Sequence, residues 1–475
     1  MGRLPSATPA SYTYHRLNPR SVLTHARQHP GALQQAALNN LMGAPAASAR
    51  KLRPSGALWF LYAMWFINLF GPQWLLASFG PQIVLKVPTP LFAALLLLVV
   101  SRGPRRLLPP LLAFMLYTAL SVPFAYIRGE ALGVAKEVFA YYVIALATLT
   151  LVRNTREALP IILWALAIQY GAWVVLGART GQISWHYAYA NYDSFGPLMV
   201  LGIAGLFWVG MGTRNRKWRR LAFIAAGGCI VGLVVSFARG AVMSAGVVAV
   251  WIWIRSPNKL RSAALGAAAI MVLFISARVY QGAQSAIIAG KASTNFWEEM
   301  GSTFDPNEGT RQDRQVLWHL AVRVYAIHPI LGVGPNCFGA YAADNFAPGT
   351  VGGAYNENPR TLWGRALHNT YYQILSEFGT VGAAIFLWMV WDFLRRNRKL
   401  RQPQRIRAWA VQTDGRLDLR CLSLGLEASM LAFLLTAYFY NQIFDVHWFY
   451  TLLTINALLF HLTRPQPVVV RKSAA

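Results

Sequence analysis

Long apolar stretches recur along this chain, separated by short clusters of charge. A bilayer core takes about 20 consecutive apolar residues in helical form, and only helices or closed barrels satisfy every backbone polar group there. Barrel strands alternate polar and apolar positions over about ten residues. The run Leu91-Phe92-Ala93-Ala94-Leu95-Leu96-Leu97-Leu98-Val99-Val100 does not alternate. The pattern therefore predicts an all-α, polytopic helical membrane protein. Composition agrees: charged residues are 13% of the chain, against about 25% in soluble domains.

Apolar spans fall at residues 57–79, 84–101, 107–127, 132–152, 158–178, 195–211, 221–237, 240–254, 263–281, 367–393, 421–440 and 446–463. That reading gives about 12 transmembrane helices. Residues 1–55 are polar and basic, with no apolar stretch of the kind a cleavable signal peptide needs. They read as a flexible tail able to rest on anionic lipid.

The basic residues set the orientation. If the tail is cytoplasmic, twenty-two Lys and Arg fall on the inner connections and four on the short outer ones. Lys and Arg are retained preferentially on the cytoplasmic side, so both termini are expected there. A net charge of +27 would suggest nucleic acid in a soluble protein, but here the positive-inside bias accounts for it. No nucleic-acid partner is expected. The three cysteines, Cys229, Cys337 and Cys421, lack redox or metal-ligand spacing.

One connection is not short. Residues 282–366 form a large outer loop between helices 9 and 10, with six basic and seven acidic residues. Such a length without a role of its own is uncommon. The predicted organisation is a tail at 1–55, helices 1–9 at 56–281, the loop at 282–366, helices 10–12 at 367–463 and a short tail at 464–475.

Three outer features could carry chemistry. Ser236-Phe237-Ala238-Arg239-Gly240 sits between the seventh and eighth spans. An edge arginine commonly just snorkels to the interface, yet this side of the chain otherwise avoids basic residues. Gly240 allows a tight turn or close backbone approach. The second feature runs from Gly309 through Arg314 and Trp318. Val316, Leu320, Val324 and Ile327 share one face of an amphipathic helix that Arg314 is expected to begin and Pro329, Gly332 and Gly334 to end. Such helices lie in the interface and routinely carry arginines for lipid headgroups. The third is His368-Asn369-Thr370-Tyr371-Tyr372, which opens the tenth span. A histidine there is commonly a cap, but a helix N-terminus favours anions, and a neutral imidazole suits a general base.

Two arginines and a histidine suit an anionic, lipid-linked substrate, because arginine holds phosphate bidentately and stays charged. Metal-dependent membrane glycosyltransferases usually place an acidic pair in the first outer loop, and Gly80 to Val87 contains no acid. Neither a metal nor another cofactor is expected.

The order Ser-x-x-Arg-Gly, then Arg314-x-x-x-Trp318, then His328-Pro329-Ile330-Leu331-Gly332-Val333-Gly334, then His368-Asn369, resembles the O-antigen ligase and polymerase family. The strongest stretch spans residues 314–382. The resemblance implies a bacterial inner-membrane enzyme with a periplasmic active site. It would move a glycan from undecaprenyl diphosphate to an acceptor hydroxyl, on lipid A-core in ligases or on a second lipid-linked glycan in polymerases. Carried onto this chain, His368 activates the acceptor, and Arg239 and Arg314 hold the diphosphate. Gly240, Trp318 and Asn369 support them. Attack opposite the leaving group inverts the anomeric carbon. A flippase or exporter is the reading from another class, and it would need charges along a path such as Lys136, Glu137 and Glu377.

Overall fold

In the computed structural model the described residues are 55–70, 88–102, 107–171, 192–236, 238–287, 296–301, 309–443 and 447–464. The predicted tails at 1–55 and 464–475 lie outside them, save for Ser55 and Arg464. Each of the twelve apolar runs contains a helix. These are α1 (Gly56–Phe70), α2 (Pro88–Ser101), α3 (Pro109–Ser121), α4 (Arg128–Leu151), α5 (Thr155–Leu163), α6 (Tyr192–Gly212), α7 (Arg216–Val235), α8 (Arg239–Arg255) and α9 (Lys259–Ile287). Within residues 282–366 lie α10 (Phe296–Gly301), α11 (Gly309–Ile327) and α12 (Phe338–Asn345), followed by α13 (Thr370–Leu400), α14 (Pro403–Gln412), α15 (Leu419–Thr436) and α16 (Trp448–Leu462). Among the described residues there is no strand, only an isolated antiparallel bridge between Thr213 and Leu417.

Among the described residues six helices (α4, α6, α7, α9, α13 and α15) are long and apolar enough to cross a membrane, and α1, α2, α3 and α16 are shorter apolar helices. Their burial differs widely. The apolar window of α6 is 83% buried, whereas that of α9 is 11% buried. Thus α6 is the central post, packed by α7, α8 and α15, and α9 turns its apolar side chains outward. Exposed Ile270, Met271, Phe274 and Ile275 are tolerable only against an apolar solvent such as lipid.

The described residues of 282–366 are largely helical rather than irregular. Helix α11 starts at Gly309, not at Arg314 as the sequence suggested, so Arg314 lies in its second turn. Its buried face also differs from the predicted one. Leu317, Leu320, Ala321 and Val324 are buried, while Ile327 is 55% exposed. The helix packs on protein, against α12 and α13, instead of floating on an interface. With Phe338 and Leu362 it builds a second, smaller core.

That small core is locked to the bundle through a break in α13. Gly379 takes φ +61° and ψ −164°, a kink inside the helix. The turn after α11 enters this break: Val333 N–H donates to Ser376 O at 3.0 Å, Gly334 N–H to Glu377 O at 3.0 Å, and Thr380 N–H to Pro329 O at 2.8 Å. A Cβ on Gly332 would collide with the Glu377 carbonyl, and one on Gly379 with the Ile330 carbonyl. Only glycine fits two backbones this close, at a φ that penalises any side chain. The His-Pro-x-Leu-Gly-x-Gly motif is therefore the clasp between loop and membrane helices.

Candidate functional site

The end of the bundle nearest this clasp gathers the residues singled out in the sequence. Asn369 caps α13, its Oδ1 accepting from Tyr371 N–H at 2.9 Å and Tyr372 N–H at 3.1 Å. His368 precedes the cap, half-buried, with φ +51°. That conformation is uncommon for a residue with a side chain and marks a position held by its surroundings.

The two residues after His368 are held by the segment 437–442, which follows α15. Thr370 N–H donates to Ala437 O at 2.8 Å. The Thr370 hydroxyl donates to Tyr440 O at 2.7 Å and accepts from Gln442 N–H at 2.9 Å. Asn369 N–H donates to Asn441 Oδ1 at 3.1 Å. The same segment meets the two arginine-bearing helices. Phe439 lies so close to the start of α8 that a Cβ on Gly240 would enter its ring. Tyr438 meets the Trp318 ring edge-on, with centroids 5.4 Å apart.

Trp318 is the second tie. Its indole N–H donates to Leu367 O at 3.1 Å, and its ring stacks on Tyr372 at 5.5 Å. Arg314, one helical turn earlier, shares that face of α11. It is half-buried, and its Nε is buried with no hydrogen-bond partner. Arg239 opens α8 beside Gly240 and is also half-buried. The structure thus brings Gly240, Trp318 and Asn369 around one short segment, and Arg239, Arg314 and His368 are their chain neighbours.

More polar atoms at this corner lack partners. Asn369 Nδ2, Gln373 Oε1 and Gln442 Nε2 are buried and unsatisfied. Buried polar groups are nearly always paired, so these three atoms are open to a polar partner. A cavity of about 160 Å³ adjoins them, lined by Glu130, Asn336, Trp363, Gln373, Glu377 and Asn441. Glu377 is buried and accepts from Asn336 N–H at 3.0 Å and Phe338 N–H at 3.4 Å. Below it, burial pushes the Cys337 thiol up to about 11, with the nearby Glu377 and Glu130 carboxylates adding to the rise.

Sequence reasoning missed the 437–442 segment. Its aromatic and amide content, Tyr438-Phe439-Tyr440-Asn441-Gln442, reads as the frayed end of a span. It is linked to Asn369 and Thr370, next to His368, by contacts about 70 residues apart along the chain. The one signal was a pair of adjacent amides in an otherwise apolar stretch.

Residues 226–387 match the family model described as O-antigen ligase. The chain carries an O-antigen ligase family domain. The resemblance seen in the sequence is borne out, and the domain contains Arg239, Arg314 and His368. Segment 437–442, which closes the corner, lies beyond the matched residues. No curated protein matches the chain. With six candidate spans among the described residues, the chain that carries this domain is a multi-pass membrane protein.

Proposed function

We propose that this protein transfers a glycan from undecaprenyl diphosphate to an acceptor hydroxyl, on lipid A-core or a similar glycolipid, at the periplasmic face of a bacterial inner membrane. The chain crosses about a dozen times with both termini cytoplasmic, and the 282–366 segment stands outside. The observation that carries the reading is the corner itself. Three motifs of the ligase domain, far apart in sequence, meet at segment 437–442, with Arg314 Nε buried and unpartnered beside them.

In this reading His368 accepts the proton of the acceptor hydroxyl as its oxygen attacks the anomeric carbon. The bond from that carbon to the diphosphate oxygen breaks with inversion, and undecaprenyl diphosphate leaves with the electron pair. Arg239 and Arg314 hold the diphosphate, and their fixed charge stabilises the negative charge that develops on it. Guanidinium charge alone supplies this stabilisation, and no nucleotide or metal enters the scheme. The polar cavity beside Gln373 and Glu377 suits a hydroxyl-rich acceptor.

A polysaccharide polymerase of the same family uses the same chemistry on a second lipid-linked glycan, and it is the alternative. A flippase fits less well. Lys136 is exposed, and the buried Glu377 is committed to backbone N–H groups rather than lining a path. Reconstitution with an undecaprenyl-diphosphate glycan and two acceptors, lipid A-core and a second lipid-linked repeat, tests the proposal. Sugar on lipid A-core supports the ligase, sugar on the repeat names the polymerase, and no transfer to either overturns the enzyme reading.

A further inference from the structure

At the other end of the bundle lies a larger groove of about 560 Å³, between α5, α6 and α7. This is within the range of about 300–1,000 Å³ typical of small-molecule sites. Its walls are apolar, formed by Leu159, Leu163, Leu206, Val209, Leu221 and Ala225. They open to the surface, where Leu221 and Trp218 are more than half exposed. The rim is basic: Arg156, Arg214 and Arg416 stand around it, and Asp414 is its one acid among the described residues.

The arginines are placed by the fold rather than scattered on it. Arg214 N–H donates to Arg416 O at 3.1 Å, and Asp418 N–H to Gly212 O at 3.0 Å. With the Thr213–Leu417 bridge, this clip sets Arg214 and Arg416 side by side. Gly415, at φ +63°, leaves room for the Arg214 guanidinium, whose nearest nitrogen would be 3.0 Å from a Cβ there. Arg416 reaches Asp414 only at 3.9 Å, with both side chains largely exposed. Such a pair is worth little and leaves the rim strongly positive.

We propose that this groove binds an anionic phospholipid of the cytoplasmic leaflet. Its acyl chains lie along the apolar walls, and its phosphate sits between Arg156, Arg214 and Arg416. Charge complementarity selects the occupant, since basic pockets between membrane helices on the cytoplasmic side take anionic headgroups. The diphosphate of the transfer reaction is a different ligand. Arg214 precedes the first turn of α7, whereas Arg239 follows its last, and a helix of 20 residues separates the two by about 30 Å.

The test uses the full chain, purified in neutral detergent. Phosphatidylglycerol, phosphatidylcholine, undecaprenyl phosphate and inorganic phosphate are each titrated, with lipid retention read by native mass spectrometry and protection by thermal unfolding. Phosphatidylglycerol should bind at least about tenfold tighter to the parent than to the Arg156→Gln, Arg214→Gln, Arg416→Gln triple variant. Ala225→Trp, which fills the groove and keeps the arginines, should also lose it. Equal binding of phosphatidylcholine, retention by either variant, equal protection by inorganic phosphate, or preference for undecaprenyl phosphate would each overturn the proposal. Transfer at the His368 corner is not read in this assay, so its failure and the failure of the enzyme reading stay separate.

Discussion

Arginine is used differently at the two ends of this bundle. At the basic end, Glu427 accepts from Arg255 at 2.8 Å and pairs closely with Arg401, and Asp392 pairs with Arg396 at 2.5 Å. Arg405 lies over the Phe460 ring at 4.0 Å. The Glu427 pairs and Arg405 fasten helices to one another, and the Asp392–Arg396 pair braces α13 itself. The Nε of Arg405 is buried without a partner, as is that of Arg314 at the His368 end, but Arg405 Nη1 donates to Phe460 O at 2.6 Å and Thr463 Oγ1 at 3.2 Å. One end spends its arginines on structure, and the other keeps at least one poised. The contrast separates a fastening role from a binding role for the same residue type.

The largest expected effect lies at the poised end. His368→Ala should lower glycan transfer by about 10²–10⁴-fold, the usual contribution of a positioned general base. Protein level and thermal unfolding should stay near those of the parent, since His368 precedes the helix cap rather than forming it. Full activity in the variant would remove the catalytic assignment and leave His368 as a residue of the turn.

The next effect tests how closed that end is. Cys337 is buried, and burial raises its thiol to about 11. The thiolate is the reactive form. At neutral pH a maleimide or iodoacetamide should therefore label it about a hundredfold more slowly than an ordinary thiol. The sign follows from the raised value: labelling should climb about tenfold per pH unit and level off only above pH 11. Rapid labelling at neutral pH would mean that the turn under Glu377 opens readily, and the corner could not be a preformed site.

Much of this was legible in the sequence, and the failures share one cause. Every apolar run holds a helix, because apolar length and the absence of charge decide that locally. Gly240 was visible as a turn residue, and Trp318 and Asn369 through the resemblance to the ligase family. Three things were not: the buried face of α11, the clasp through Gly379, and segment 437–442. Each depends on a partner far along the chain. The face α11 buries follows from α13, not from its own periodicity. The kink at Gly379 exists because the 329–334 turn supplies the hydrogen bonds a straight helix would have made. Periodicity reports on one helix at a time and is silent on which helix lies across it.

Identical substitutions at the two ends sharpen the contrast further. Arg314→Lys should cut transfer by about tenfold, because lysine keeps the charge and loses the bidentate fork. Arg401→Lys should leave transfer unchanged within error and show only in thermal unfolding. Equal losses in both, measured in the same reconstituted assay, would erase the distinction between poised and fastening arginines.

The smallest effect probes the fastening end alone. Glu427 is 15% exposed and serves two arginines from different segments, with Asn397 Nδ2 also within 3.4 Å. Glu427→Gln keeps the shape and removes the charge, so it leaves Arg255 and Arg401 competing for one neutral oxygen. Arg255 is nearly half exposed, and water recovers much of what it loses. The cost should be about 1–2 kcal/mol, the scale of hydrogen bonds to a charged partner with solvent access. It should appear as a lower Tm with unaltered transfer below that temperature. If transfer falls as sharply in Glu427→Gln as in Arg314→Lys, the two ends are coupled through α13 and α15, and neither can be assigned a role without the other.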